Sequence, residues 1–166
     1  MIKLIATDID GTLVKDGTLI IDPEYMTVIS KLIDKGIIFT VCSGRQFSSE
    51  QKLFAPIKDK LMYITDGGTV VRTPDRILKT YPMSNELWKD MCRMVRDELP
   101  ACDYFAASPD LCYAEDGASP IFHRLRDSYG FEMREIDDLT KLENDDIIKF
   151  TVYHPDSCEE LCSPHF

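Results

Sequence analysis

The stretch that most constrains the fold lies at the start of the chain, where residues 1–14 read MIKLIATDIDGTLV. A short apolar run leads into Asp8 and Asp10 and is closed by Gly11. Such a run is typical of a strand buried on both faces of a parallel sheet. Residues two apart in a strand point to the same side, so both carboxylates are expected at the carboxyl end of this strand, where ligands bind in open α/β sheets.

Two carboxylates on one small loop repel each other, so the pair predicts a positively charged partner. Mg²⁺ prefers oxygen ligands and keeps waters for a phosphate-bearing substrate, which suits Asp8 and Asp10. Gly11 would let the backbone turn sharply and present N–H groups to an anion. The alternative interpretation is a strand that ends in an ordinary polar turn, because aspartate and glycine are common turn residues.

A second polar loop follows one helix later. The sequence predicts a helix over 22–36, opened by an Asp-Pro pair and closed by a glycine, and a buried strand over 37–42. That strand runs into Ser43, Gly44 and Arg45, and a hydroxyl with free N–H groups at a helix start suits an anion. The tripeptide alone fits an ordinary turn equally well, and Arg45 fits a solvated charge at a helix start. Strand, helix and strand with short links predict a βαβ unit.

The two loops together resemble motifs of the haloacid-dehalogenase superfamily. IATDIDGTLV is similar to the first motif, D-x-D-G-T-[LV], and S-G-R coincides with the second. The resemblance implies that Asp8 is the nucleophile and Asp10 the general acid of a phosphatase, and that both bind Mg²⁺. It also implies a phosphate site at Ile9, Gly11, Ser43, Gly44 and Arg45.

A third strand is predicted over 61–65, followed by Asp66 and a hairpin over 69–81, whereas residues 15–17 are typical of a turn. In the Cof-like branch of the superfamily, the segment after this strand commonly carries Asn-Gly. Here Gly67 stands in the asparagine place, which leaves only backbone contacts to a substrate.

From residue 82 onward helices and strands alternate without long apolar runs, which indicates an open α+β layer. Helices are predicted over 84–99 and 120–129, and strands over 103–107, 111–115, 131–135 and 147–154. The resemblance implies a partial Rossmann-like α/β core of parallel strands over 1–81 and an inserted α+β cap domain over 82–166. The aromatic side chains of Tyr104, Phe105 and Tyr113 then either line the substrate cleft or pack between cap helices and sheet.

The cysteine and histidine pattern near the chain end has two interpretations. His154, Cys158, Cys162 and His165 are spaced four, four and three residues apart. This spacing allows a zinc site, but it also fits a final amphipathic turn. The six cysteines form no CxxC pair, so reduced thiols and a cytoplasmic location are expected.

Composition restricts the partners. The chain has 166 residues, a net charge of −10 and 44% hydrophobic residues. Neither a signal peptide nor a membrane-spanning segment is expected from its pattern of apolar residues. The acidic balance argues against nucleic acid and anionic membranes. A phosphate site in such a chain has to be built locally, from N–H groups, a metal and a few cations.

Two motifs of the superfamily are not matched in the sequence. The third motif is a lysine and the fourth an acidic loop; Asp145-Asp146 lacks the glycine turn, and Lys149 falls within a predicted cap strand. A fragment, a truncated product and an inactive family member all fit this pattern. The expectation is impaired catalysis by this chain, and self-association through an exposed edge of the core sheet.

The sequence is consistent with three hypotheses about function. The leading hypothesis is a Mg²⁺-dependent phosphatase of small phosphorylated metabolites, sugar phosphates above all, acting through a phosphoaspartate on Asp8. The second is a non-catalytic phosphate- or partner-binding fragment of the same fold. The third is a receiver-type signalling domain, in which Asp66, at the end of a later strand, would accept the phosphoryl group.

Overall fold

The computed structural model describes residues 1–15, 18–143 and 146–165. Most of the predicted turn over 15–17 and the Asp145 half of the Asp145-Asp146 pair lie outside these described residues. Two separate sheets organise the rest, a five-stranded one formed by residues before Tyr81 and a four-stranded one formed by residues after Cys102. We call them the core sheet and the cap sheet; the division of the chain at residue 82 stays our proposal.

The core sheet has the strand order β1-β2-β3-β4-β5. Its strands are β1 (Leu4–Asp8), β2 (Ile38–Cys42), β3 (Met62–Thr65), β4 (Val70–Arg72) and β5 (Ile77–Thr80). The first three are parallel and the last two form an antiparallel hairpin, as predicted. Helix α1 (Pro23–Asp34) connects β1 to β2, and α2 (Phe47–Leu53) lies between β2 and β3, so the predicted βαβ unit is present.

The ends of α1 follow from local chemistry. The Asp22 carboxylate accepts a hydrogen bond of 2.8 Å from the Glu24 N–H, and Pro23 occupies the first helical position. Gly36 follows the helix with φ +80°, a conformation that glycine adopts without steric cost. Both predicted boundaries of this helix are therefore confirmed.

The strand β1 lies at the edge of the core sheet, and the prediction that it is buried on both faces is wrong. Ile5 is half-buried and packs on the core cluster beneath α1, whereas Leu4, on the opposite face, is 51% exposed. An edge strand has one neighbour, and among the described residues only one face of β1 is covered. Pairing of another chain with this edge stays a prediction.

The cap sheet has the strand order β8-β7-β6-β9. Its strands are β6 (Asp103–Ala107), β7 (Cys112–Ala114), β8 (Met133–Glu135) and β9 (Lys149–Tyr153). Its helices are α3 (Asn85–Glu98), α4 (Pro120–His123) and α5 (Cys158–Leu161). The predicted helix over 120–129 is regular only in its first turn, because α4 continues as a π-helical turn over Arg124–Ser128.

A buried glutamine joins core and cap. The Glu132 N–H donates to Oε1 of Gln46 at 2.6 Å, and Nε2 of Gln46 donates to the Glu132 carbonyl at 3.3 Å. Gln46 is fully buried, so this pair of hydrogen bonds holds the chain before β8 against the start of α2. Nearby, Nζ of Lys52 donates to the Gly130 carbonyl at 2.7 Å. These contacts seat the cap beside the loop that follows β2.

The zinc interpretation of the C-terminal pattern gains no support. Within the described ranges no three His, Cys, Asp or Glu side chains are grouped so that they could hold a metal ion. Cys162 instead lies with its Sγ 3.4 Å from that of Cys102, and His165 pairs with Glu98. No helix in the described part of the chain is both long and apolar enough to cross a membrane.

Candidate active site

Asp8 is the last residue of β1 and its side chain is exposed. The Thr12 hydroxyl donates to Oδ2 of Asp8 at 3.0 Å, which fixes the orientation of the carboxylate. Oδ1 makes no hydrogen bond to any residue that the structure describes. Cys42 is the register partner of Asp8 on β2, and burial, followed by the charges of Glu50 and Asp8, raises the pKa of its thiol. The site therefore offers one unoccupied carboxylate oxygen beside a neutral thiol.

A tight turn follows β1. The carbonyl of the fully buried Ile9 accepts hydrogen bonds from the N–H groups of Thr12, Leu13 and Val14. Gly11 has φ +79°, and its N–H donates to the Val14 carbonyl at 2.8 Å. The predicted glycine turn is present, but it uses the Gly11 N–H internally. Anion binding through Ile9 and Gly11 stays a prediction.

Asp10 is held by Arg45. Nε of Arg45 donates to Oδ2 of Asp10 at 2.8 Å and Nη2 donates to Oδ1 at 2.6 Å, a bidentate pair. Nη2 also donates to the Thr18 carbonyl at 2.8 Å, and the guanidinium lies 5.1 Å from the ring centroid of Tyr129 in the cap. The Arg45 side chain is only 2% exposed, so it is not the solvated charge that one interpretation of the sequence allowed.

The loop that begins at Ser43 is braced by the loop after β3. The Arg45 N–H donates to Oγ of Ser43 at 3.1 Å, which leaves the hydroxyl proton of Ser43 able to donate to a ligand. The Asp66 N–H donates to the Arg45 carbonyl at 2.9 Å, and the Gly67 N–H to the Ser43 carbonyl at 3.0 Å. The Gly44 N–H has no hydrogen-bond partner among the described residues. A hydroxyl and an N–H are thus available to an anion.

A cavity of about 350 Å³ separates this loop from the cap. Asp10 and residues 43–45 line its core side, and Lys149, Tyr129 and Phe105 are among the cap residues that line the other. The two other aromatic residues singled out from the sequence do not line it: Tyr104 donates to a carboxylate of the cap and Tyr113 packs in a cap cluster. Only Phe105 of the three therefore faces this cleft.

Lys149 crosses the cavity from the cap. It is the first residue of β9, and its Nζ donates to the Gly44 carbonyl at 2.9 Å. The sequence predicted Lys149 as an ordinary cap-strand residue and gave it no place in the site. The alternating pattern of residues along β9 does not predict this contact, because Lys149 and Gly44 are separated by 105 positions in the chain.

Asp66 lies behind the loop and is buried rather than presented to solvent. It is 2% exposed, has φ +54°, and accepts a hydrogen bond of 2.8 Å from the Thr65 hydroxyl through Oδ2. Burial raises the pKa of Asp66 to about 6, although the Thr65 hydroxyl and the charges of Lys149 and Arg72 oppose the shift. This burial disfavours the receiver-type hypothesis, because an acceptor carboxylate has to be reached by a phosphoryl donor.

A second buried carboxyl group lies beneath Arg45. Glu50 on α2 is fully buried, and neither of its oxygens has a hydrogen-bond partner in the part of the chain that the structure describes. Burial, with the nearby charges of Asp66 and Asp10, holds the pKa of Glu50 well above its usual range, and Arg45 opposes this. Among the described residues, the site therefore has four acidic groups near few positively charged side chains; the four are Asp8, Asp10, Glu50 and Asp66.

The shifted pKa of Asp66 predicts a pH-dependent stability. The folded chain retains the Asp66 proton up to about pH 6, whereas an unfolded aspartate loses it near about pH 4. In this window the folded state binds more protons than the unfolded state, so the free energy of unfolding falls as the pH rises, by up to about 3 kcal/mol. Asp66→Asn removes the ionisable group and keeps a side chain that tolerates positive φ.

We therefore expect Asp66→Asn to gain unfolding free energy relative to the unmodified chain as the pH rises from about 4 to about 7. Urea unfolding of both proteins across this range measures the difference, in which the contributions of carboxylates remote from Asp66 cancel. Asp34→Asn, on the exposed end of α1, serves as the control and should show a trend of less than about 1 kcal/mol, because an exposed charge at a helix end contributes little. A constant difference between the Asp66→Asn variant and the unmodified chain would contradict the assignment.

The donor set at the end of β1 fits Mg²⁺. The candidate ligands are oxygen atoms only, the Asp8 carboxylate and the Asp10 backbone carbonyl, and Mg²⁺ is commonly held by one or two carboxylates together with waters and substrate phosphate. The described residues contain no group of three acidic, His or Cys ligands. Any ion at this position would therefore depend on solvent and substrate for most of its coordination.

Comparisons with known proteins agree with this geometry. A family model described as haloacid dehalogenase-like hydrolase matches residues 5–163. The 5-amino-6-(5-phospho-D-ribitylamino)uracil phosphatase YbjI of Escherichia coli is 26% identical over 147 residues, which cover 86% of this chain and 52% of the relative. The phosphatase of the same name in Bacillus subtilis, YwtE, is 32% identical over 87 residues, 52% of this chain and 30% of the relative.

A crystal structure of a Eubacterium rectale protein is 82% identical to this chain and superposes with a TM-score of 0.86, covering 98% of this chain and 62% of that one. The chain thus spans about half, or less, of the length of the curated relatives it matches. The predicted α/β core with an α+β cap and the predicted Cof-like branch are confirmed. The chain belongs to the haloacid dehalogenase-like hydrolase family.

Proposed function

We propose that this chain carries the phosphoryl-transfer site of a Mg²⁺-dependent phosphatase of small phosphorylated metabolites. The observation that carries the proposal is the Asp8 carboxylate, which is exposed at the end of β1 with one oxygen held by Thr12. The other oxygen has no partner among the residues described. An oriented carboxylate with one oxygen available is suited to attack phosphorus.

The substrate class follows from the cavity and from the relatives. Two curated relatives are phosphatases of a phosphorylated ribitylamino compound, in which the phosphate is carried by a polyol chain. The cavity beside Ser43 combines aromatic walls with the polar groups of Asp10 and Lys149. We therefore propose a phosphorylated sugar or sugar alcohol as the substrate, and the cytoplasm, where such metabolites occur, as the location.

In the first step we propose that an oxygen of Asp8 attacks phosphorus while the bond from phosphorus to the leaving oxygen breaks. The phosphoryl oxygens would accept hydrogen bonds from the Ser43 hydroxyl and the Gly44 N–H. Asp10 would give its proton to the leaving oxygen. Both Asp10 oxygens accept hydrogen bonds from Arg45, so one of these bonds has to break before Asp10 can carry a proton on that oxygen. This oxygen would then give the proton to the leaving oxygen.

In the second step water hydrolyses the phosphoaspartate. The Asp10 carboxylate would remove a proton from the water, whose oxygen attacks phosphorus and releases inorganic phosphate, which restores the Asp8 carboxylate. Mg²⁺, held by Asp8 and the Asp10 carbonyl, would neutralise charge on the phosphoryl oxygens. The described residues offer two candidate protein ligands, so the affinity for Mg²⁺ in the absence of phosphate is expected to be weak.

Two measurements on the full chain test this proposal. Phosphate release is followed for a panel of phosphorylated sugars and sugar alcohols with Mg²⁺ and, as the control, with excess chelator. Separately, beryllofluoride, which mimics a phosphoryl group on a carboxylate, is added with Mg²⁺ and its site is located by fluorine NMR on the unmodified chain and on Asp8→Asn.

We expect slow Mg²⁺-dependent release, in keeping with the impaired catalysis predicted from the sequence, and a beryllofluoride signal that Asp8→Asn abolishes. Beryllofluoride bound to Asp8 without any release would favour the non-catalytic phosphate-binding alternative. A signal that survives Asp8→Asn and disappears in Asp66→Asn would contradict the proposal and favour a receiver-type domain.

A further inference from the structure

Few positively charged side chains lie where a phosphoryl group would bind, whereas acidic side chains are numerous there. The chain carries a net charge of −10, and Asp8, Asp10, Glu50 and Asp66 surround the loop that begins at Ser43. A phosphoryl group adds further negative charge to this position. Its binding therefore requires a cation that is not already neutralised by these carboxylates.

Arg45 cannot fill this role from its observed position. Two of its nitrogens donate to Asp10 at 2.6 and 2.8 Å. Its other hydrogen bonds among the described residues go to the Thr18 carbonyl and, at 3.4 Å, to the Ser49 hydroxyl. The side chain is 2% exposed and lies against the Tyr129 ring. Its charge and its donors are thus committed to the protein.

Lys149 is differently placed. Lys149 lines the core–cap cavity together with Asp10 and Ser43, and the residue is half-buried. Among the described residues, its ammonium group makes one hydrogen bond, to the Gly44 carbonyl at 2.9 Å. An ammonium group has three donors, so two remain for a ligand. The Gly44 contact holds these donors within one residue of the Ser43 hydroxyl.

We propose that Lys149 is a substrate-binding residue supplied by the cap, whose ammonium group donates to an oxygen of the phosphoryl group held at Ser43 and Gly44. This inference rests on the proposed phosphatase function and identifies Lys149 as the positively charged group that binds the phosphoryl oxygens. It also couples the ligand to the cap, since Lys149 can contact the phosphoryl group only while β9 lies over the loop.

The test is the affinity of the full chain for inorganic phosphate, measured by calorimetry at fixed Mg²⁺ concentration and pH. Lys149→Met keeps the length and apolar stem of the side chain and removes the charge. The loss of one charged hydrogen bond should weaken phosphate binding about 10- to 100-fold. Lys149→Arg, which retains the charge, should recover most of the affinity.

Lys52 offers a matched control. It also reaches across from one layer to the other, donating to the Gly130 carbonyl at 2.7 Å, but it does not line the cavity. Lys52 also forms an exposed ion pair with Glu132, and such pairs contribute little. Lys52→Met should therefore leave phosphate affinity within about twofold of the unmodified chain, because the hydrogen bonds of Gln46 still hold the cap. Equal losses in Lys52→Met and Lys149→Met would show that both act by seating the cap, and would overturn the proposal.

The experiment also distinguishes a structural role of Lys149 from a role in phosphate binding. Its charge lies near Asp66, so it could serve only to stabilise that buried carboxyl group. In that case Lys149→Met would lower the urea midpoint and leave phosphate affinity unchanged, which would overturn the inference while the phosphatase proposal stands. Failure of the unmodified chain to bind either phosphate or beryllofluoride would instead overturn both.

Discussion

Asp8→Asn is expected to lower phosphate release from a phosphorylated sugar alcohol to the background rate, because the proposed nucleophile is lost. The amide has the shape of the carboxylate, and its oxygen can still accept the hydrogen bond that the Thr12 hydroxyl gives to Oδ2 at 3.0 Å. Asp8 is exposed, so removal of its charge leaves no buried group without a partner. The measurement is steady-state phosphate release with Mg²⁺, together with urea unfolding to verify the fold.

The control is Asp34→Asn, which makes the same chemical change at the last residue of α1. A negative charge at the carboxyl end of a helix is unfavourable, so this variant should fold as well as the unmodified chain and release phosphate at the same rate. Release that persists in Asp8→Asn would show that another group accepts the phosphoryl group. Asp66→Asn then identifies whether that group lies at the end of β3.

The helices were predictable because their ends depend on neighbouring residues. The Asp22 cap of α1 and the Ser84 cap of α3 are each signalled by a polar side chain two or three residues before its hydrogen-bond donor. The π-helical turn at Arg124–Ser128 was not predictable in the same way. The apolar spacing of that segment is compatible with a regular helix, so nothing local distinguishes the two helix types.

The exposure of β1 could not be read from its own residues. Apolar side chains at Leu4 and Ile5 are as suitable for a central strand as for an edge strand. Which strand lies at the edge depends on every other strand of the sheet, and among the described residues β2 is the neighbour of β1. Local pattern therefore predicted the strand correctly and its burial wrongly.

The candidate site likewise has a part that was predictable from local sequence and a part that depends on the tertiary fold. The proximity of Asp8 and Ser43 was predictable, because both follow parallel strands joined by one crossover and such strand ends meet at one edge of a sheet. The contact of Lys149 with Gly44 was not, since it depends on how the cap lies over the core. The commitment of Arg45 to Asp10, 35 residues away, had no local signal either.

The second large effect is expected when the Arg45–Asp10 ion pair is broken, and it concerns the stability of the fold. Arg45→Met should lower the free energy of unfolding by about 3 kcal/mol, because it leaves the Asp10 carboxylate without its bidentate partner in a partly buried position. The Asp10 side chain is 25% exposed, so water offsets some of the cost, whereas Arg45 itself is 2% exposed. The Thr18 carbonyl loses its donor as well. Urea unfolding at neutral pH measures the change.

Arg93→Met is the matched control, because Arg93 forms an ion pair with Asp90 on α3 in which both side chains are more than half exposed. Such a pair contributes less than about 1 kcal/mol, and its loss should be correspondingly small. A double-mutant cycle with Asp10→Asn isolates the pairwise energy, which should exceed about 1 kcal/mol. If Arg45→Met costs no more than Arg93→Met, or if the cycle shows no coupling, then Asp10 is not positioned by Arg45. The proposed exchange of a guanidinium hydrogen bond for the leaving oxygen would then lose its basis.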